Sequence, residues 1–197
     1  LLERLLDDED PVARALLDRV VVYAVPNMNP DGAVRGNLRT NAAGANLNRE
    51  WQSPSRERSP EVLFVRAKME QTGVDFCLDV HGDEALPYNF IAGPDGVASV
   101  TPAIRALQAD YERLLMQICP DFQIEHGYDP VAPGQANMTM CTTWVADRFG
   151  CLSMTLEQPF KDAAGSPHPE LGWSPGRCRA LGRANLDALH GVLDRLR

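Results

Sequence analysis

The sequence predicts an α/β fold with a mixed, largely parallel central sheet and helices on both faces. Two observations carry this. Short apolar, β-branched runs at 20–25, 75–80 and 151–156 alternate with segments of helical periodicity. The chain has 197 residues, 44% of them apolar and 23% charged, enough for one buried core and ordinary for a globular protein.

The elements follow in order. Residues 1–7 read as the end of an amphipathic helix, broken by Asp7-Asp8-Glu9-Asp10-Pro11, and 11–18 read as a short second helix. Val20-Val21-Val22-Tyr23-Ala24-Val25 is apolar throughout, as in a strand buried on both faces. Residues 26–58 are rich in Asn, Gly, Pro and Arg and lack periodicity, so they form a long irregular stretch. A helix over 59–72 has Ser59 as N-cap, Pro60 at the first turn and Glu61 behind it. Asp75–Val80 is a second buried strand and 88–92 a third. Residues 101–118 place Ile104, Leu107, Tyr111, Leu114, Leu115 and Ile118 on one helical face. A Gly/Pro-rich loop at 126–136 precedes a helix at 138–149, the strand Cys151–Leu156 and a final helix near 175–196.

Composition narrows the function. The formal net charge of −8 argues against a nucleic-acid partner, which needs a basic surface. No apolar run reaches the roughly 20 residues of a membrane span, and no signal peptide is evident. The five cysteines include no CxxC pair and are read as reduced structural residues, which points to a cytoplasmic setting.

In open α/β sheets, sites form beyond the carboxyl ends of strands. Three predicted strands end there in polar residues: Asn27-Met28-Asn29-Pro30-Asp31, His81-Gly82-Asp83-Glu84 and Glu157-Gln158. Each has a plain structural reading, a satisfied histidine or a capping carboxylate; together they describe a site. His81 is the favoured metal ligand, with Glu84 a weaker one. Arg39, Asn48 and Arg49 fall in the irregular stretch. An Asn-Arg pair can hold a free carboxylate, and equally such arginines can be surface residues in salt bridges.

Five segments then show a resemblance. Pro26-Asn27-Met28-Asn29-Pro30-Asp31-Gly32, Gly36-Asn37-Leu38-Arg39 and Gly44-Ala45-Asn46-Leu47-Asn48-Arg49-Glu50-Trp51 resemble the central signature of M14 metallocarboxypeptidases, close to the cytosolic (Nna1-like) branch. Leu78-Asp79-Val80-His81-Gly82-Asp83 resembles the segment with the third zinc ligand, and Met154-Thr155-Leu156-Glu157 the segment with the catalytic glutamate. The resemblance spans roughly 1–195 and implies a zinc carboxypeptidase-like fold. It makes His81 a ligand of one Zn2+ ion and Glu157 the general base. Arg39 becomes the oxyanion stabiliser, and Asn48 and Arg49 the clamp on the substrate's terminal carboxylate. The implied substrate is a peptide or protein C-terminus, glutamyl bonds included, with neither nucleic acid nor membrane as partner.

Two departures qualify these expectations. The family's other zinc ligands come as His-x-x-Glu, yet the first histidine here is His81. The motif is expected upstream of Leu1, by about one helix (roughly 10–20 residues). The chain 1–197 would then be the C-terminal portion of one catalytic domain, inactive alone because catalytic zinc needs three protein ligands. Counting back from Glu157 to the family's mobile tyrosine reaches Gln135, with Tyr128 nearby but shifted, so that role stays unfilled. For an acidic side-chain pocket near Met140–Trp144, Arg148 and Lys161 are the candidate cations. The rival readings are a zinc amidohydrolase that deacylates N-acyl amino acids and a non-catalytic carboxylate-binding module.

Overall fold

The computed structural model describes residues 1–160, 162–164, 170 and 172–196. Seven α-helices and three strands are assigned among them: α1 (Leu2–Leu5), α2 (Pro11–Leu17), α3 (Pro30–Arg35), α4 (Pro60–Thr72), β1 (Phe76–Val80), β2 (Phe90–Ala92), α5 (Pro102–Ile118), α6 (Cys141–Phe149), β3 (Leu152–Glu157) and α7 (Pro175–Val192). Short 3-10 turns lie at Leu47–Arg49 and Leu193–Arg195. Side-chain caps explain where the two longest helices begin. Thr101 accepts from the Ile104 amide ahead of α5, and Ser174 from the Arg177 amide ahead of α7.

The sheet order is β1-β3-β2, with β3 parallel to β1 and antiparallel to β2, so the sheet is mixed. β3 has a neighbour on each side and is buried along its whole length. Leu152, Met154 and Leu156 point into a core built with Leu107, Tyr111 and Leu115 of α5 and Leu181, Ala184, Ala188 and Val192 of α7. The alternate residues turn the other way, as strand geometry requires. Thr155 meets Thr142 of α6, hydroxyl to hydroxyl at 2.5 Å. Cys151 joins Val62, Cys141, Trp144 and Val145 in a second core.

One expected strand is not formed. Residues 20–25 belong to no sheet, and Val21 is 77% exposed. An apolar run becomes a strand only when another strand supplies ladder partners, and among the described residues none lies beside this one. β1 shows the same lack on its outer edge: it is only half-buried, and Val80 at its end is exposed.

The irregular stretch 26–58 holds two elements that periodicity did not reveal. Asn29 caps α3 by accepting from the Gly32 amide at 3.0 Å, Pro30 begins the helix, and Gly36 closes it at φ 73°. These start and stop signals stand in the sequence without an apolar face beside them. The rest is tied by asparagines. Asn29 Nδ2 donates to the Thr40 carbonyl, Asn41 Oδ1 accepts from the Ala43 and Ala45 amides, and Asn46 Oδ1 accepts from the Asn48 amide. Gly32 is required there, because a Cβ would fall 2.1 Å from Asn29 Nδ2 and 2.6 Å from the Thr40 carbonyl oxygen.

A polar link crosses the main core between α5 and α7. The buried Tyr111 hydroxyl donates to Asn185 Oδ1 at 2.7 Å, while Asn185 Nδ2 donates to the Leu181 carbonyl at 2.7 Å. Tyr111→Phe leaves Asn185 Oδ1 buried without its donor, at a cost of about 1–3 kcal/mol. Urea unfolding should show a lower midpoint at an unchanged slope; an unchanged midpoint would mean the link contributes nothing.

Candidate active site

The β1–β3 ladder places the candidate site. Its parallel register sets Val80 opposite Leu156. It continues past the strands, with the His81 amide donating to the Leu156 carbonyl at 2.9 Å and the Asp83 amide to the Gln158 carbonyl at 2.7 Å. His81 is therefore laid beside Glu157, with Nδ1 3.9 Å from Glu157 Oε1. Gly82, directly after His81, has a steric reason: a Cβ there would sit 2.6 Å from Phe160 Cε1.

Each group of this pair has a defined second partner. His81 Nε2 lies 2.8 Å from Asp79 Oδ2. A carboxylate only accepts, so Nε2 carries the hydrogen and the neutral ring keeps its free lone pair on Nδ1. Residues i and i+2 of an extended chain share a face, so the Asp79–His81 spacing already contained this pairing. Burial of His81 lowers its affinity for a proton, but the Asp79 and Glu157 carboxylates together outweigh that and raise its pKa. Glu157 is buried. That burial raises its pKa, against the opposing effects of His81 and Tyr128. Its Oε2 has no hydrogen-bond partner.

Tyr128 also stands at this pair of groups. Its hydroxyl lies 3.0 Å from Glu157 Oε1 and 2.5 Å from Asp83 Oδ2, and its ring stands edge-on to Phe90 at 4.9 Å. Burial and the hydrogen bond to Asp83 push its pKa well up. Counting along the sequence came near Tyr128 but did not place it. Tyr128 sits in an irregular loop 29 residues from Glu157, and only the fold brings them together.

The remaining predicted residues divide. Arg39 is exposed and pairs with Glu84. That pairing gives Glu84 a partner other than a metal, and the Arg39 charge still reaches His81, where it slightly opposes the rise in pKa. Asn48 Oδ1 accepts from the Cys141 amide at 2.9 Å, and Arg49 Nη1 donates to the Asn48 carbonyl at 2.7 Å. Asn48 is thus fixed to the first residue of α6, with its Nδ2 left as donor. Arg148 is taken up by Glu70 on the surface, at 2.8 and 2.6 Å. Lys161 lies outside the described residues. No disulfide joins the described cysteines.

The comparisons with known proteins bear on this geometry. The M14 zinc carboxypeptidase family profile matches residues 1–90. The crystal structure of a putative carboxypeptidase A from Shewanella denitrificans superposes with a TM-score of 0.97 at 54% identity, covering 100% of this chain and 52% of that one. The chain is an Nna1-like relative of the M14 zinc carboxypeptidases. A metallo-carboxypeptidase from Pseudomonas aeruginosa, solved with (2-guanidinoethylmercapto)succinic acid, gives a TM-score of 0.95 at 47% identity, covering 100% of this chain and 52% of that one. Human cytosolic carboxypeptidase 4 is 35% identical over 94 residues, 45% of this chain and 8% of that protein. The chain thus spans about half the length of the bacterial carboxypeptidases it matches.

The relationship to zinc carboxypeptidases implies a zinc ion. His81 fits one ligand position, because Asp79 orients the ring and leaves Nδ1 free, the usual carboxylate–histidine arrangement at a metal. Among the described residues no group of three His, Cys, Asp or Glu side chains is arranged to hold an ion. No helix among them is long and apolar enough to cross a membrane.

Proposed function

We propose that this chain carries the base and carboxylate-binding side of a zinc-dependent carboxypeptidase that hydrolyses C-terminal peptide bonds, glutamyl bonds among them. The observation that carries the reading is the pairing of an oriented His81 Nδ1 with the buried Glu157 carboxylate at 3.9 Å. His81 would be one zinc ligand. Three protein ligands are needed for catalytic zinc, so His81 would act with ligands from outside the described residues. When bound, the ion polarises the scissile carbonyl and acidifies a water.

The chain's own residues supply the rest. Glu157 takes a proton from the attacking water and delivers it to the leaving amine. Burial raises its pKa, which makes it a better proton acceptor than an exposed carboxylate. Arg39, released from Glu84, would stabilise the oxyanion. Asn48 Nδ2 and the Arg49 guanidinium would hold the substrate's terminal carboxylate, so that only the last peptide bond meets Glu157. A cytoplasmic location follows the same reading, on the strength of its cytosolic carboxypeptidase relatives.

The test is to incubate the intact protein with peptides of varied C-termini, with and without a zinc chelator, and read the products by mass spectrometry. Chelator-sensitive loss of single terminal residues is the expected result. Intact peptides with zinc bound would move the reading to a deacylase of N-acyl amino acids. Intact peptides with no zinc bound would leave a carboxylate-binding module.

A further inference from the structure

Asp83 takes part in more of the site's bonds than its position behind His81 suggests. It is 7% exposed. Its Oδ1 accepts from the Ala85 and Leu86 amides, both at 2.6 Å. Its Oδ2 faces the Tyr128 hydroxyl at 2.5 Å. Its own amide donates to the Gln158 carbonyl, and its carbonyl accepts from the Phe160 amide at 3.2 Å. The one residue thereby joins three segments: the turn after His81, the chain leaving Glu157, and the loop carrying Tyr128.

The chemistry at Tyr128 gives this junction a consequence. The phenol has one hydrogen and two carboxylates within reach, Asp83 Oδ2 at 2.5 Å and Glu157 Oε1 at 3.0 Å. Whatever Asp83 takes of that hydrogen bond, Glu157 does not receive. A phenol hydrogen held on Glu157 Oε1 occupies a lone pair that would otherwise accept from the attacking water. We propose that Asp83 is a positioning residue that holds the Tyr128 hydroxyl and draws its hydrogen away from Glu157, so that Glu157 Oε1 stays open to the attacking water. This rests on the reading of Glu157 as general base.

Asp83→Asn separates this role from simple scaffolding. The asparagine Oδ1 can still accept from the Ala85 and Leu86 amides, so the turn is kept. Its amide now donates toward the Tyr128 oxygen, so the phenol hydrogen is left to Glu157 alone. The expected result in the intact protein is a fall in kcat of about tenfold, with KM and bound zinc little changed. Adding Tyr128→Phe removes the misdirected donor, so the double variant should match Tyr128→Phe alone. Equal losses from Asp83→Asn in the two backgrounds would overturn the proposal, since scaffolding acts without regard to the phenol hydroxyl.

A second readout needs no activity. With 3-fluorotyrosine incorporated, the resonance absent from Tyr128→Phe is that of Tyr128. It should shift in Asp83→Asn, with or without metal; an unmoved resonance would sink the proposal. Should Asp83→Asn fail to fold, Asp83→Glu, which keeps the carboxylate but moves it, should shift the same resonance, and an unmoved one would again sink it. A wild-type protein with no chelator-sensitive carboxypeptidase activity would instead refute the general-base reading, leaving the fluorine resonance to decide whether Asp83 holds Tyr128.

Discussion

Glu157→Gln in the intact protein should lower kcat for peptide hydrolysis by about 10²- to 10⁴-fold, the range expected when a general base is removed. Glutamine keeps the size of the side chain, and its Oε1 can still accept from Tyr128, so the local structure should persist. It has no means of taking a proton from water. The variant should unfold at the wild-type midpoint or above, because burial disfavours the charged carboxylate and Glu157 Oε2 has no partner to lose. Zinc content should be unchanged. The check is kcat and KM on a peptide cleaved by the wild type, beside metal analysis of both proteins. Wild-type kcat in the variant would remove Glu157 from the mechanism.

His81→Ala should abolish stoichiometric zinc in the intact protein, and activity with it, because a site with two remaining protein ligands lacks the three that hold catalytic zinc. Asp79→Asn provides a graded version. Asparagine can still contact His81 Nε2, but no longer as a carboxylate that fixes the ring's tautomer and makes its other nitrogen more basic. Losing such a partner weakens metal affinity by about 10- to 100-fold. Competition with a coloured chelator would measure both. Full zinc retention in His81→Ala would mean that His81 is not a ligand, whatever the activity shows.

The sequence by itself determined the class of fold and most of its helices, because those depend on local rules. Pro60 and Thr101-Pro102 mark helix starts through the fixed φ of proline and, at Thr101, a side-chain cap, whereas the expected Ser59 cap is not made because its hydroxyl donates to Glu50. Motif order in the chain also set aside Arg39, Asn48, Arg49, His81 and Glu157 as the residues to examine. The same local reading failed at 20–25: an apolar β-branched run states a preference for burial but not which strand, if any, stands beside it. It also passed over α3, whose capping signals lie in the sequence but whose short span has no periodic face.

What only the tertiary structure decided is which of these polar groups meet. His81 and Glu157 are 76 residues apart, and it is the register of β1 on β3 that makes them neighbours. Tyr128 reaches Asp83 across 45 residues and Glu157 across 29, from a loop with no motif of its own. Arg39 pairs with Glu84, and Arg148 with Glu70, so two cations open to several roles in the sequence have carboxylate partners in the fold. Hydrogen bonds fall off within a few tenths of an ångström and depend on angle, so they are set by the packing of distant segments and not by spacing along the chain.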